Sequence, residues 1–341
     1  MAIGKRQPNR KTATRPSPAA AQKTLNTTPV YVVLVLLFVI YLAVQGLPSV
    51  AIVIGAAIFF TIIILLAIEI RNGIKEEGFS RNAIEVVGAI AAVLILWYGL
   101  RFLLNTPYPL DVVPSCSMLP VLNRGDMILL QGVNHDNINA PVVNVSQSAW
   151  SAEFSNLNYS SLQCVAYNTT PYGVRVSQII KPGYSIGLLQ STGSGQQIIQ
   201  PSSQTGLIKY WCGAVNVEAQ NGSMIQEAYT KSVSIANTTV SWNKNNSVVV
   251  YQTVPQDQFY KYGDTYIVHR VYAMVDVNGT YYSLTKGDNN PGLDIQYFNV
   301  PPNLTYVQGK VIGSIPFVGY LKLILSNNFI EPAGCNTTVQ N

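Results

Sequence analysis

The sequence predicts an α-helical membrane anchor followed by a mostly-β extracytoplasmic domain that carries an inserted β-rich subdomain. Three observations predict it. The apolar residues before residue 105 gather into three runs of about membrane-spanning length. Beyond them the chain breaks into short strand-like alternations set off by turn signals. A long polar segment, sparse in charge, divides those alternations into two groups. With 341 residues, 11% of them charged, and a mean hydropathy of +0.21, the chain is too apolar for an ordinary soluble protein.

The anchor comes first, over residues 30–104. Residues 30–47 are apolar apart from Gln45. Residues 50–70 hold one acid, Glu69, at their end, and residues 84–104 hold Glu85 at their start and Arg101 near their finish. Each run approaches the ~20 residues a helix needs to cross the hydrocarbon core. Charges near the ends can reach the interface. Leu47-Pro48-Ser49 reads as a tight hairpin between the first two helices. The first run is too long for a typical secretory h-region and lacks a small-x-small cleavage site, so it is expected to stay uncleaved.

Charge placement orients the anchor. Residues 1–29 hold Lys5, Arg6, Arg10, Lys11, Arg15 and Lys23 and no acid. The 71–83 loop holds Arg71, Lys75 and Arg81 against Glu76 and Glu77. Both are expected in the cytoplasm, which puts residues 105–341 outside a multi-pass cell-membrane protein. The net charge of +5 therefore belongs to the 1–29 tail. It reads as a topology anchor against anionic lipid headgroups, with no nucleic-acid partner. Nine Asn-x-Ser/Thr triplets, from Asn144 to Asn336, follow residue 105, and only Asn26 precedes it. That distribution suits an outer surface. Four cysteines are too few for a disulfide scaffold. Cys164 and Cys212 share one polar segment and can pair outside the cell. Cys116 reads as a small buried filler.

The outer portion divides into a core over 105–134 and 243–330, an insertion over 135–242, and a tail over 331–341. In the first core segment, Asp126 to Gln131 reads as a strand after the turn Asn123-Arg124-Gly125. The insertion is rich in Ser, Thr, Asn, Gln and Tyr, with short alternations such as Val174-Arg175-Val176. Its Ser191-Thr192-Gly193-Ser194-Gly195 is a loop and not a phosphate cradle, because no strand-to-helix context surrounds it. The second core segment offers strands at 247–253, 265–275 and 280–284, with turns at Gly263-Asp264 and Asn278-Gly279, the latter a hairpin signal. Residues 312–325 are short and broken by Gly313, Pro316 and Gly319. They read as a strand and an interfacial segment, and not as a fourth span.

The chemistry lies in the two core segments. Pro114-Ser115-Cys116-Ser117-Met118-Leu119-Pro120 sits just beyond the third apolar run, and the two prolines favour a fixed loop. A serine hydroxyl needs a neighbouring base, and a carboxylate usually orients that base. The chain has two histidines, His135 and His269. Asp288 and Asp294 follow His269. Serine, histidine and carboxylate in that order, beyond a membrane anchor, are the parts of a membrane-bound serine peptidase.

These blocks resemble type I signal peptidase, in its endoplasmic-reticulum and archaeal branch. The resemblance rests on Ser115-Cys116-Ser117-Met118-Leu119-Pro120, Arg124-Gly125-Asp126, Ile267-Val268-His269-Arg270-Val271, Thr285-Lys286-Gly287-Asp288-Asn289-Asn290, and the stretch from Gly309 to Gly319. It covers about 108–133 and 243–325. It implies Ser117 as nucleophile, with its own N–H and the Ser115 hydroxyl meeting the oxyanion, and His269 as general base. Asp288 and Asp294 keep the branch's six-residue spacing. Asp294 is favoured as the orienting acid and Asp288 as a support. Lys286 falls where the family has a non-catalytic lysine and reads as a solvated turn residue. His135 reads as an exposed residue of the insertion's first loop.

The resemblance further implies cleavage of secretory preproteins after a small residue, with no cofactor or metal. The implied partners are the preproteins, the lipid bilayer and, as a further candidate, the protein translocation machinery. Three helices, the long insertion and a single acid near Asp294 depart from the family pattern. Two other readings stand beside it. A non-catalytic surface adhesin or sensor explains the anchor, the triplets and the polar insertion, but not the ordered blocks. A self-processing serine peptidase is the rival enzyme.

Overall fold

The computed structural model describes residues 25–44, 47–77, 79–154, 161–192, 195–326, 328, 331–332 and 334–340. Most of the basic tail, and the triplet at Asn158, lie outside the described residues. Three apolar helices open the described chain: α1 (Thr28–Ala43), α2 (Pro48–Glu77) and α3 (Phe79–Leu103). Proline suits the start of α2, where its missing N–H has no helical partner to lose. Two stretches, Ser49–Ile74 of 26 residues and Ala83–Leu103 of 21, are long and apolar enough to cross a membrane. The 16-residue α1 is apolar but shorter than ~20 residues. It ends at Ala43, where the apolar run in the sequence continues to residue 47. Tyr41 of α1 and Ala51 of α2 bury against Phe317, and the Tyr41 hydroxyl donates to the Pro316 carbonyl.

Among the described residues, fifteen strands and three short helices follow. Two strands precede the insertion: β1 (Leu110–Val112) and β2 (Met127–Gln131). Next come β3 (Val142–Asn144), α4 (Gln147–Phe154), β4 (Ser161–Thr170) and β5 (Gly173–Ser177). They lead to β6 (Ser185–Thr192), β7 (Gly195–Ile199), β8 (Ile208–Ala219), β9 (Met224–Ile235) and β10 (Thr238–Ser241). The second core segment supplies β11 (Val248–Gln252), α5 (Gln258–Lys261), β12 (Tyr266–Val277), β13 (Thr280–Lys286), β14 (Val307–Ile315) and α6 (Tyr320–Leu325). The last is β15 (Thr337–Gln340).

The strands form three sheets. The largest has the order β1-β2-β14-β11-β12-β13, with β3 added in parallel to β12. Its other ladders are antiparallel. The turn between β12 and β13 places Asn278 at φ 51° and Gly279 at φ 83°, the left-handed pair a tight hairpin requires. The other sheets run β10-β9-β8-β15 and β5-β4-β6-β7. Residues 312–325 become the end of β14 and the short α6, as the broken pattern predicts.

Three features differ from the sequence reading. The 135–242 segment gives β3 to the large sheet and shares one core with it. Val143, Trp150, Leu188, Tyr210 and Val233 pack together with Tyr272, Val275, Leu284, Leu293 and Ile295. Within the C-terminal tail, β15 (Thr337–Gln340) is tied down by pairing with β8. Cys116 is no mere filler: it is disulfide-bonded to Cys335. Cys164 and Cys212 form the second disulfide, joining β4 to β8.

Candidate active site

The site begins with the loop between β1 and β2. Met118 is fully buried in a cluster with Val113, Leu122, Ile128, Leu130, Val250 and Val268. That anchor leaves its neighbour Ser117 facing the sheet. The Asn123-Arg124-Gly125-Asp126 turn fixes the loop from below. Gly125 N–H donates to the Val113 carbonyl at 2.8 Å, and Arg124 Nε donates to the Pro114 carbonyl at 3.0 Å. Asp126 accepts from the N–H groups of Asn123 at 2.8 Å and Phe317 at 3.1 Å. Burial still pushes its carboxyl above the usual range.

His269 lies on β12, whose residues from Val268 to Val275 are all buried. Its Nε2 is 2.9 Å from Ser117 Oγ. Its Nδ1 is 2.8 Å from Asp294 Oδ2, and both His269 and Asp294 are buried. A carboxylate can only accept. Asp294 therefore holds the proton on Nδ1 and leaves Nε2 free to accept from the serine. Ser115 Oγ lies 3.2 Å from Ser117 Oγ. Among the described residues, the Ser117 N–H has no hydrogen-bond partner.

Asp294 starts a short 3-10 turn, Asp294–Tyr297. The Tyr251 hydroxyl, on β11, donates to Asp294 Oδ2 at 2.9 Å. Burial and the adjacent carboxylate push that phenol well above its ordinary range, so it remains a donor. Asn299 Nδ2 donates to the Asp294 carbonyl at 3.1 Å, and its Oδ1 accepts the Phe259 N–H at 2.9 Å. The Phe259 ring meets the imidazole edge-on, with ring centres 6.1 Å apart. From the insertion side, Gln296 accepts from the Thr230 hydroxyl at 2.8 Å and donates to the Leu162 carbonyl at 2.5 Å.

Asp288 stands apart from this row. Arg270, beside His269 on β12, binds it with two bonds of 2.8 and 2.7 Å. The same guanidinium donates to the carbonyls of Lys244 and Asn246 at 2.6 Å. Lys286 corrects the sequence reading: it is the last residue of β13, paired with Arg270 across the ladder, and it is 2% exposed. Burial lowers its pKa to about 8, against the opposing pull of Asp288 and then Asp294. His135 is half-exposed beside Asp136 and stacks on Tyr281.

The reading of the sequence assigned no part to Tyr251, Asn299, Gln296 or Phe259. Tyr251 alone had a signal once the pairing is known. Val249 lies opposite His269, and Tyr251, two residues on, shares its face of the strand.

The partly buried Ser117 and the buried His269 and Asp294 thus stand in one hydrogen-bonded file. Comparison with known proteins gives a partial likeness to one signal peptidase subunit. The chain is 33% identical over 97 residues to the signal peptidase complex catalytic subunit SEC11 of Chaetomium globosum, a match covering 26% of this chain and 52% of that protein. The chain thus spans about half the length of the curated relative it matches. No protein-family model matches the chain. The likeness, with the apolar helices, supports kinship with signal peptidases and association with a membrane.

Proposed function

We propose that this chain is a membrane-anchored serine endopeptidase that removes signal peptides from secretory preproteins. The observation that carries the reading is the file of Ser117 Oγ, His269 Nε2 and Nδ1, and Asp294, with successive distances of 2.9 and 2.8 Å. Ser117 attacks the scissile carbonyl while His269 takes its proton. The oxyanion meets the free Ser117 N–H and the Ser115 hydroxyl. As the intermediate collapses, the C–N bond breaks and the imidazolium protonates the leaving amine. Water, deprotonated by His269, then attacks the acyl ester. The new carboxyl leaves and Ser117 regains its proton. Asp294 stays ionised throughout and holds the imidazole in place. Asp288 acts indirectly, by clamping Arg270 next to His269.

In this proposal all three helices span the bilayer, the basic 1–29 tail is cytoplasmic, and the β domain lies outside. The substrate enters as an added strand and is cut after a small residue. The test is cleavage of a model preprotein by protein in lipid nanodiscs. Wild type is expected to release the mature fragment and Ser117→Ala to release none. Equal cleavage by both would sink the reading. An unchanged preprotein alongside a nicked chain would move it to self-processing.

A further inference from the structure

Residues 334–340 lie far from Ser117 in sequence but converge on its backbone. Cys335 is disulfide-bonded to Cys116, the residue before Ser117. Asn289 bridges the same two segments. Its N–H donates to the Ser117 carbonyl at 2.8 Å. Its side-chain amide donates toward the carbonyls of Cys116 at 3.2 Å, Gly334 at 3.2 Å and Thr337 at 2.8 Å. Its Oδ1 accepts the Val339 N–H at 2.8 Å. Beyond these contacts, β15 pairs with β8. One asparagine therefore joins the nucleophile's loop to the 334–340 segment, and through it to the inserted subdomain.

The chemistry asks for asparagine. It offers two donors and an acceptor on one short planar group. Aspartate would set a carboxylate against three carbonyl oxygens, and alanine would leave them without that donor. The loop around Ser117 has no regular secondary structure of its own to hold it. Its N–H and hydroxyl must nevertheless aim at two different points, the oxyanion and His269 Nε2.

We propose that Asn289 and the closed Cys116–Cys335 disulfide form a clamp that positions Ser117, so that turnover depends on the oxidation of this one cysteine pair. The inference rests on Ser117 being the nucleophile. Asn289 is a positioning residue, acting through the loop it holds. Its loss is expected in kcat, because the reacting atoms are misaligned, and not in KM. A displacement of about 1 Å can cost ~10²-fold in rate. The Cys164–Cys212 disulfide joins β4 to β8 and serves as the internal control.

The test uses the full chain in nanodiscs and a fluorogenic peptide bearing a signal-peptide cleavage site. A dithiol reductant breaks the S–S bond. Two electrons and two protons pass to the sulfurs as thiols, and the reductant closes to its own disulfide. Reduction is expected to lower kcat about 10–100-fold, with KM within about twofold. Cys164→Ala/Cys212→Ala should keep this response, and Cys116→Ala/Cys335→Ala should start low and lose it. Asn289→Ala should lower kcat similarly, and Asn289→Asp should not rescue it. Amide exchange at 115–119 should rise about tenfold or more in Asn289→Ala while β2 is unchanged.

Free thiols at Cys116 and Cys335 in active protein, shown by non-reducing peptide mapping, would overturn the proposal. So would unchanged kcat in both Asn289→Ala and the Cys116/Cys335 variant. If wild type shows no Ser117-dependent cleavage, the peptidase reading falls and takes the catalytic half of the clamp with it. The exchange measurement still decides, independently, whether Asn289 holds the loop. Should the cysteine variant fail to fold, reduction of wild type and of Asn289→Ala decides the same question.

Discussion

His269 makes its two ring contacts in opposite directions, toward Ser117 and toward Asp294, and that geometry separates it from the other candidate bases. His269→Ala is expected to lower cleavage by ~10²–10⁴-fold, while His135→Ala, at a half-exposed site, leaves most of it. Lys286→Met should retain Ser117-dependent cleavage; if it abolishes cleavage while His269→Ala does not, the lysine is the base. Lys286 also makes a pH prediction. Its folded pKa is about 8 against an ordinary 10.5, so between those values the unfolded chain binds the proton and the native state does not. Stability from this group therefore rises with pH across that window, by about 3 kcal/mol at 1.36 kcal/mol per unit. Denaturation of wild type and Lys286→Met at pH 7 and pH 10.5 should show wild type gaining on the variant by roughly that amount. A pH-independent difference would refute the buried, depressed lysine.

At the scale of elements, the nucleophile's loop depends on the turn before β2. Gly125 has φ +86°, and a Cβ there would lie 2.1 Å from the Tyr320 ring. Gly125→Ala faces both backbone strain and overpacking and is expected to cost about 1–3 kcal/mol. Thermal unfolding would check the cost, and cleavage should fall with it because the turn bonds to Val113 and Pro114. Much at this scale was legible in the sequence. The runs around β2, β11, β12 and β13 announced strands through β-branched and aromatic residues between turn residues. Asn278-Gly279 announced its hairpin, and the apolar runs announced α2 and α3. The misses have a common physical cause. Lys286 looks like a turn residue because Gly287 and Asp288 follow it. Its burial comes from the pairing with Arg270, which no local pattern encodes. Cys116 and Cys335 are 219 residues apart, so nothing near either one signals the other. The serine block, His269 and Asp294 were nameable from residue type, order and family resemblance. The supports from Tyr251, Asn299 and Gln296 arise only when distant strands meet.

For the whole molecule, the core that the 135–242 segment shares with the large sheet ties the insertion to the rest of the domain. Replacing 136–241 with a short linker would expose Tyr272, Val275, Leu284, Leu293 and Ile295, at about 1.5–3 kcal/mol for each large side chain. That sum rivals the 5–15 kcal/mol typical of an entire domain. The shortened chain is expected to aggregate or fail to insert, and a soluble, active product would show that the two parts fold separately. The turn that carries Asp294 follows from the same arrangement. Leu293 and Ile295 lie in the common core, and Gln296 is bonded to β4 and β9. The turn that aims Asp294 at the imidazole is thus held in part by the inserted sheets. If Ser117, His269 and Asp294 form the proposed relay, a nascent copy is expected to cut nothing until residues 135–242 have folded. Heat should likewise extinguish cleavage and melt the outer sheets at one temperature, with no interval in which a folded catalytic half outlives its partner.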